Sequence, residues 1–249
     1  YFGSEIFADF ANGAIELPFV GMVLGATATV LLPVFTKQIS SDDKDGRNQI
    51  AALWSRATEK SAMILYPLVT FCLVFATEIM VFLYGSQYEQ SGVYFRIMLL
   101  VNFFTVAPYY PVIIAYGKTD YYARVHLIFA VLIWIVDYAI VGLFNDPRSI
   151  AISSITFTIL KIIVMASFVS KQTGTAIKDM FPFKSGCIII VVTILASIIT
   201  KLSLNSFGNL PLVWYLVFSF MIYGCLTLLG CQLAGVDYNS VIYQIIRRR

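Results

Sequence analysis

The chain has 249 residues, 59% of them apolar and only 12% charged, with a mean hydropathy of +0.82. Soluble domains carry about 25% charged residues, so a water-soluble globular fold is excluded and the class is an integral membrane protein. The net charge of +3 comes from basic residues lying between apolar runs, with no basic patch interleaved with aromatics, which excludes a nucleic-acid binder.

Hydropathy predicts an all-α fold, a polytopic membrane helix bundle of seven spans. The first covers about 5–36. Between Glu16 and Lys37 it carries no charge, which gives about 30 Å of helix, enough to cross a bilayer. Gly21 and Gly25 form a GxxxG, a pattern that admits a close neighbouring helix. Ahead of it, Glu5, Asp9, Asn12 and Glu16 recur at spacings of four, three and four, which predicts one polar helix face. A single-span anchor has no use for such a face; a helix lining a transport cavity does.

The polar segment TKQISSDDKDGRNQ follows. Then Ile50, Leu53, Trp54 and Ala57 recur at helical spacing beside Arg56 and Lys60, read as an amphipathic helix on the membrane surface. The next spans are about 61–84, 91–116, 121–144, 149–171, 186–203 and 211–234, separated by GSQYEQ, a third basic loop, NDPR, a loop with Lys178 and Lys184, and SFGNLP. The chain ends in IIRRR. No loop is long enough for a soluble catalytic domain.

Basic residues set the orientation. With the loop after the first span cytoplasmic, thirteen Lys and Arg fall on that side, and only Arg96, Arg148 and Lys201 on the other. The C-terminus is then cytoplasmic and residue 1 external. Residue 1 is Tyr and no basic n-region precedes the first span, so the expectation is a fragment with upstream spans missing. Cys72, Cys187, Cys225 and Cys231 lie in or beside apolar runs without a CxxC and read as buried free thiols. A single histidine, His126, argues against a histidine metal site. No P-loop, no Ser/His/Asp set and no metal-spaced cluster occurs, so no cofactor is expected.

Lys161 is the sharpest anomaly, twelve residues into a span of about 23. A lysine at mid-bilayer costs roughly 2.5–3.5 kcal/mol on insertion scales. Ser154 and Thr158 share its helix face. Two readings stand: a cavity cation that meets an anionic substrate, or a structural ion pair or snorkelling side chain. Asp137 is the natural partner, roughly 12 Å from the turn joining the fourth and fifth spans against roughly 18 Å for Lys161. His126 lies three turns from Asp137 on the same face, read as interfacial packing in preference to a proton relay. Glu16, Asp9 and Asn12 either pair with cations elsewhere or bind H⁺ or Na⁺. Asn102 and Thr105, followed by Pro108 and Pro111, mark a proline-broken span, which points to a transport site or to a kink satisfied by its neighbours.

In order along the chain come LLPVFTK, a polar loop, EIMVFLYGSQYEQSGVYFRIM and IIAYGKTDYYAR. With Pro33, Glu78, Gly85, Tyr88 and Gly117-Lys118 at the matching positions, residues 1–175 resemble the C-terminal half of Wzx-type polysaccharide repeat-unit flippases. These belong to the multidrug/oligosaccharidyl-lipid/polysaccharide exporter superfamily. The resemblance implies a transport lobe at 1–175 and two additional helices with a basic tail at 176–249, the eighth to fourteenth spans of fourteen. It implies a transporter, not an enzyme, in the bacterial inner membrane. Its cargo would be an undecaprenyl-pyrophosphate-linked oligosaccharide, moved by alternating access with H⁺ or Na⁺ as a coupling ion, or with the membrane potential supplying the bias. It also implies membrane lipid, a polysaccharide polymerase and glycosyltransferases as partners. The alternatives are a drug/cation antiporter of the same superfamily and, from another class, a membrane glycosyltransferase or polymerase.

Overall fold

The computed structural model describes residues 2–40, 44–144, 146–205, 210–236 and 238. The chain is a polytopic membrane helix bundle. Its α-helices are α1 (Gly3–Gly13), α2 (Pro18–Ser40), α3 (Lys44–Val74), α4 (Ala76–Tyr84), α5 (Ser91–Leu99), α6 (Tyr109–Ala115), α7 (Thr119–Phe144), α8 (Pro147–Thr173), α9 (Ile177–Met180), α10 (Phe183–Asn205) and α11 (Leu212–Leu233). Six of them, α2, α3, α7, α8, α10 and α11, are long and apolar enough to cross a membrane. The basic tail Arg247 to Arg249 and parts of the polar loop, of NDPR and of SFGNLP lie outside the described residues.

Three of the seven expected spans are broken. The first divides into α1 and α2, because Pro18 takes the first helical position of α2 and drives the residue before it out of the α region. The second divides at Phe75 into α3 and α4. The third is α5, a 3₁₀ turn at Leu100–Phe103, an irregular stretch and α6, with Pro108 and Pro111 denying backbone donors where a continuous helix would need them. The expected surface helix is no separate element. It is the first half of α3, and its apolar side is buried: Ile50 and Trp54 pack with Phe35 of α2, Val112 of α6 and Val169 of α8.

Helix α3 is the hub, touching α2, α5, α8, α10 and α11. Leu65 and Val69 of α3, Met80 of α4, Phe95 and Leu99 of α5 and Ile189 of α10 form the main core. Glycines set two of the closest approaches. A Cβ at Gly13 would lie 2.6 Å from the Ser91 carbonyl, and one at Gly92 2.8 Å from the Thr77 Cα. Gly21 and Gly25 are different: a Cβ at either meets nothing within 4 Å, so the GxxxG seats no helix among the described residues.

Proline in mid-helix would leave a bare carbonyl inside hydrocarbon, where it costs several kcal/mol. Pro67 of α3 has no N–H to offer the carbonyl of Met63, one turn back. The Tyr238 hydroxyl donates to that carbonyl at 2.8 Å. The Tyr223 hydroxyl of α11 donates to the Pro67 carbonyl itself at 2.6 Å, and Tyr66 donates to the Phe103 carbonyl at the break in the third span, at 2.9 Å. Tyr238→Phe should therefore cost about 1–3 kcal/mol, the price of an unmet buried acceptor. In a Pro67→Ala background the restored N–H takes over that carbonyl, and Tyr238→Phe should cost little. Thermal unfolding midpoints of the four proteins in detergent give the cycle; equal costs in both backgrounds would refute this account.

Candidate functional site

The residues that the sequence singles out do not converge on one point; they fall into three groups. The first is the polar end of α1. Asp9 accepts a hydrogen bond from the Ser91 hydroxyl at 2.8 Å, tying α1 to α5 beside the close Gly13 contact. Asn12 is half-buried on the same helix. Glu16 leaves the predicted stripe, because it lies exposed in the break between α1 and α2.

The second group is the break in the third span. Asn102 Nδ2 donates to the Leu99 carbonyl at 3.2 Å, and the Thr105 hydroxyl to the Asn102 carbonyl at 3.3 Å. Both side chains thus serve the local turn. The break opens onto a cavity of about 310 Å³ walled by Gly25 and Ala28 of α2, Pro108 and Pro111, and Tyr109, Tyr110 and Tyr122. The rings of Tyr110 and Tyr122 meet edge to face at 5.2 Å.

The third group lies on the packed pair α7 and α8. Helix α7 is the most outlying span; Trp134 and Tyr138 are among its exposed residues. His126 and Asp137, eleven residues and three turns apart, sit half-buried on the remaining face. His126 Nε2 and Asp137 Oδ1 are enclosed atoms without a hydrogen-bond partner. Lys161 is half-buried on α8 and close enough to His126 for its charge to be felt there. The His126 ring packs on Tyr122 at 4.3 Å.

The expected pairing of Asp137 with Lys161 is not formed: no ion pair joins them among the described residues. The charge of Lys161 is felt at His126 instead, three turns along α7 from Asp137. The expected hydroxyl stripe is also reduced, because the Thr158 hydroxyl donates to the Ser154 carbonyl of its own helix at 2.8 Å. What remains is a seam of a carboxylate, an imidazole and an ammonium within one helix pair. Such a seam can attract, screen or relay charge; it holds no nucleophile activated by a neighbouring base.

Sequence reasoning missed the strongest charged contact. Glu78 of α4 pairs with Lys201 of α10 at 2.8 Å, and the Lys201 ammonium stands 5.2 Å from the Phe75 ring centre. Arg96 donates to the Thr77 hydroxyl at 2.7 Å beside it. Glu78 and Lys201 are 123 residues apart, and no local period links them. The signal was the shared side: both sit at the end of the bundle where basic residues are scarce.

A family model described as polysaccharide biosynthesis protein matches residues 10–93, about a third of the chain, from α1 into α5. The chain is similar to that family over those residues, which include Glu78, Gly85 and Tyr88. Comparison with curated proteins and with solved structures gives no match.

Because Asp137 and Lys161 are not paired, their substitutions should act independently. Asp137→Asn and Lys161→Met should each shift stability, with the double variant equal to their sum within about 0.5 kcal/mol. Unfolding midpoints in one detergent test this; recovery of wild-type stability in the double variant would show that the two charges do pair.

Proposed function

We propose that this chain is the C-terminal lobe, with two further helices, of a transporter that flips a lipid-linked oligosaccharide for cell-surface polysaccharide export. The observation that carries the reading is the place of the family match. Residues 10–93, similar to polysaccharide biosynthesis proteins, contain two helices long and apolar enough to cross a membrane, α2 and most of α3. A part played there in polysaccharide assembly is played inside the bilayer. The chemistry of that part is physical: a hydrated glycan must be moved across hydrocarbon, and each polar group carried bare would cost kilocalories. A polar path between two rocking lobes removes that cost. In this reading the chain makes and breaks no covalent bond, uses H⁺ or Na⁺ for coupling, and takes an undecaprenyl-pyrophosphate-linked oligosaccharide. It sits in the bacterial inner membrane with its C-terminus in the cytoplasm. The charged seam of α7 and α8, and Lys161 above all, supports it: an ionisable group without a fixed partner in a membrane helix is free to meet charged cargo.

Depletion of the protein should abolish surface polysaccharide while lipid-linked oligosaccharide accumulates in the cytoplasmic leaflet. Loss of the lipid-linked oligosaccharide itself would instead mark an enzyme that makes it. In the intact protein Lys161→Ala should lower export at normal protein abundance, and Lys161→Arg should keep part of it, since the charge stays while its shape and hydration change. Normal export by Lys161→Ala would remove this residue from the path.

Topology gives a separate test. In a cysteine-free background, Gln87→Cys should react with an impermeant thiol reagent added to intact cells, and Lys178→Cys should not. Both positions are exposed at the ends of helices, so reactivity reports sidedness. The reverse pattern would overturn the orientation.

A further inference from the structure

One polar cavity lies apart from all three groups described above. It holds about 170 Å³ at the end of the bundle where α2, α6 and α8 finish and α3 begins. Arg47 of α3 and Lys171 of α8 line it from separate helices, together with Gln38, Tyr116 and Gln172. The Tyr116 hydroxyl reaches the Gln172 carbonyl at 3.5 Å, a long bond that leaves it open to a better acceptor. Arg47 lies close enough to Tyr116 to act on it electrostatically. Among the described residues neither cation is in an ion pair. Ile50, 1% exposed, packs in the core cluster with Phe35 and Val169 one turn beyond Arg47.

We propose that this cavity binds a phosphate group, with Arg47 and Lys171 as its two cationic arms. Three helix C-termini meet here, and their carbonyl ends repel an anion. Without the two cations the cavity would disfavour phosphate; with them, an exposed guanidinium fork and an exposed ammonium line the same cavity. A fork matches two phosphate oxygens at once, and the lysine supplies a point charge that adjusts to the third. Depth points to the source. Lys171 lies 24 residues beyond Pro147 along α8, about 36 Å at 1.5 Å per residue. A hydrocarbon core is about 30 Å thick, so Lys171 stands at headgroup level, where membrane phosphates are concentrated. Basic pockets between spans are known holders of anionic headgroups. The proposal does not depend on the transport reading: a phosphate held here would clasp α3 to α8 whatever the cargo.

The test uses the purified chain. Retention of phosphatidylglycerol is read by native mass spectrometry and by the thermal midpoint in mixed micelles, against phosphatidylcholine. A second arm titrates inorganic pyrophosphate in neutral detergent. Anionic lipid should bind saturably, with half-saturation raised about fivefold in R47Q or K171Q and about thirtyfold in R47Q/K171Q. R47K/K171R should keep much of the binding. K178Q/K184Q, which removes the same charge from α9 and α10 outside the cavity, should leave it unchanged. Binding of phosphatidylglycerol alone would identify a lipid headgroup as the source; an equal response to pyrophosphate would identify a soluble phosphate. The proposal is overturned if neither probe binds saturably, if R47Q/K171Q binds as the wild type does, or if K178Q/K184Q loses as much.

Discussion

The constraint on which this bundle depends is the need to meet every backbone carbonyl inside hydrocarbon. A continuous helix does so internally, but this chain breaks three of its spans, and each break or kink frees acceptors. Tyrosine hydroxyls recover several of them. Tyr238 takes the Met63 carbonyl that Pro67 cannot serve, Tyr223 takes the carbonyl of Pro67, and Tyr66 takes that of Phe103. Tyrosine suits this role because its ring packs as an apolar body while one donor reaches the break.

The same bonds fix where the last helices go. Tyr223 belongs to α11 and Tyr238 lies just beyond it, yet both end on α3. Helix α10 runs along α3 as well, with the hydroxyls of Thr193 and Thr70 3.3 Å apart and the Ser185 hydroxyl donating to Glu59 at 3.0 Å. At the opposite end of the membrane Lys201 of α10 meets Glu78 of α4. Helices α10 and α11 therefore complete the satisfaction of α3 and α4 instead of standing beside a finished lobe. Losing them would expose a proline-freed carbonyl and a half-buried carboxylate together.

Much of this was legible in the sequence, and the reason is lipid. A span must be apolar for about 20 residues whatever its neighbours do, so hydropathy located α7, α8, α10 and α11 to within a few residues. The breaks were harder. The first span was expected to run through Pro18, yet that proline opens α2, while Pro33 lies inside the same helix without ending it. Whether a proline starts, kinks or ends a helix depends on which distant group takes the freed carbonyl, and Tyr238 is 175 residues from Met63. The same limit applies to charge. Counted from their shared turn, Asp137 and Lys161 differ in depth by roughly 6 Å, a gap much of which a lysine stem can bridge, but the side-chain directions of two packed helices are not in that count. Glu78 and Lys201 had no such count to link them and nevertheless pair.

Hydrogen-bond satisfaction also separates structural polarity from polarity left available. The hydroxyls of α2 are spent on their own helix: Thr27, Thr29, Thr36 and Ser40 all donate to carbonyls four residues back. Although Gly21 and Gly25 leave an open face there, the hydroxyl protons of this helix are already committed to its own backbone. The seam of α7 and α8 is the opposite case. His126 and Asp137 keep enclosed atoms unmet, and Lys161 keeps its charge out of any ion pair among the described residues. Folding alone gains nothing from that arrangement, since apolar residues of similar volume would pack the same interface at lower cost. A charge or a water molecule supplied from outside the folded chain would offset that cost.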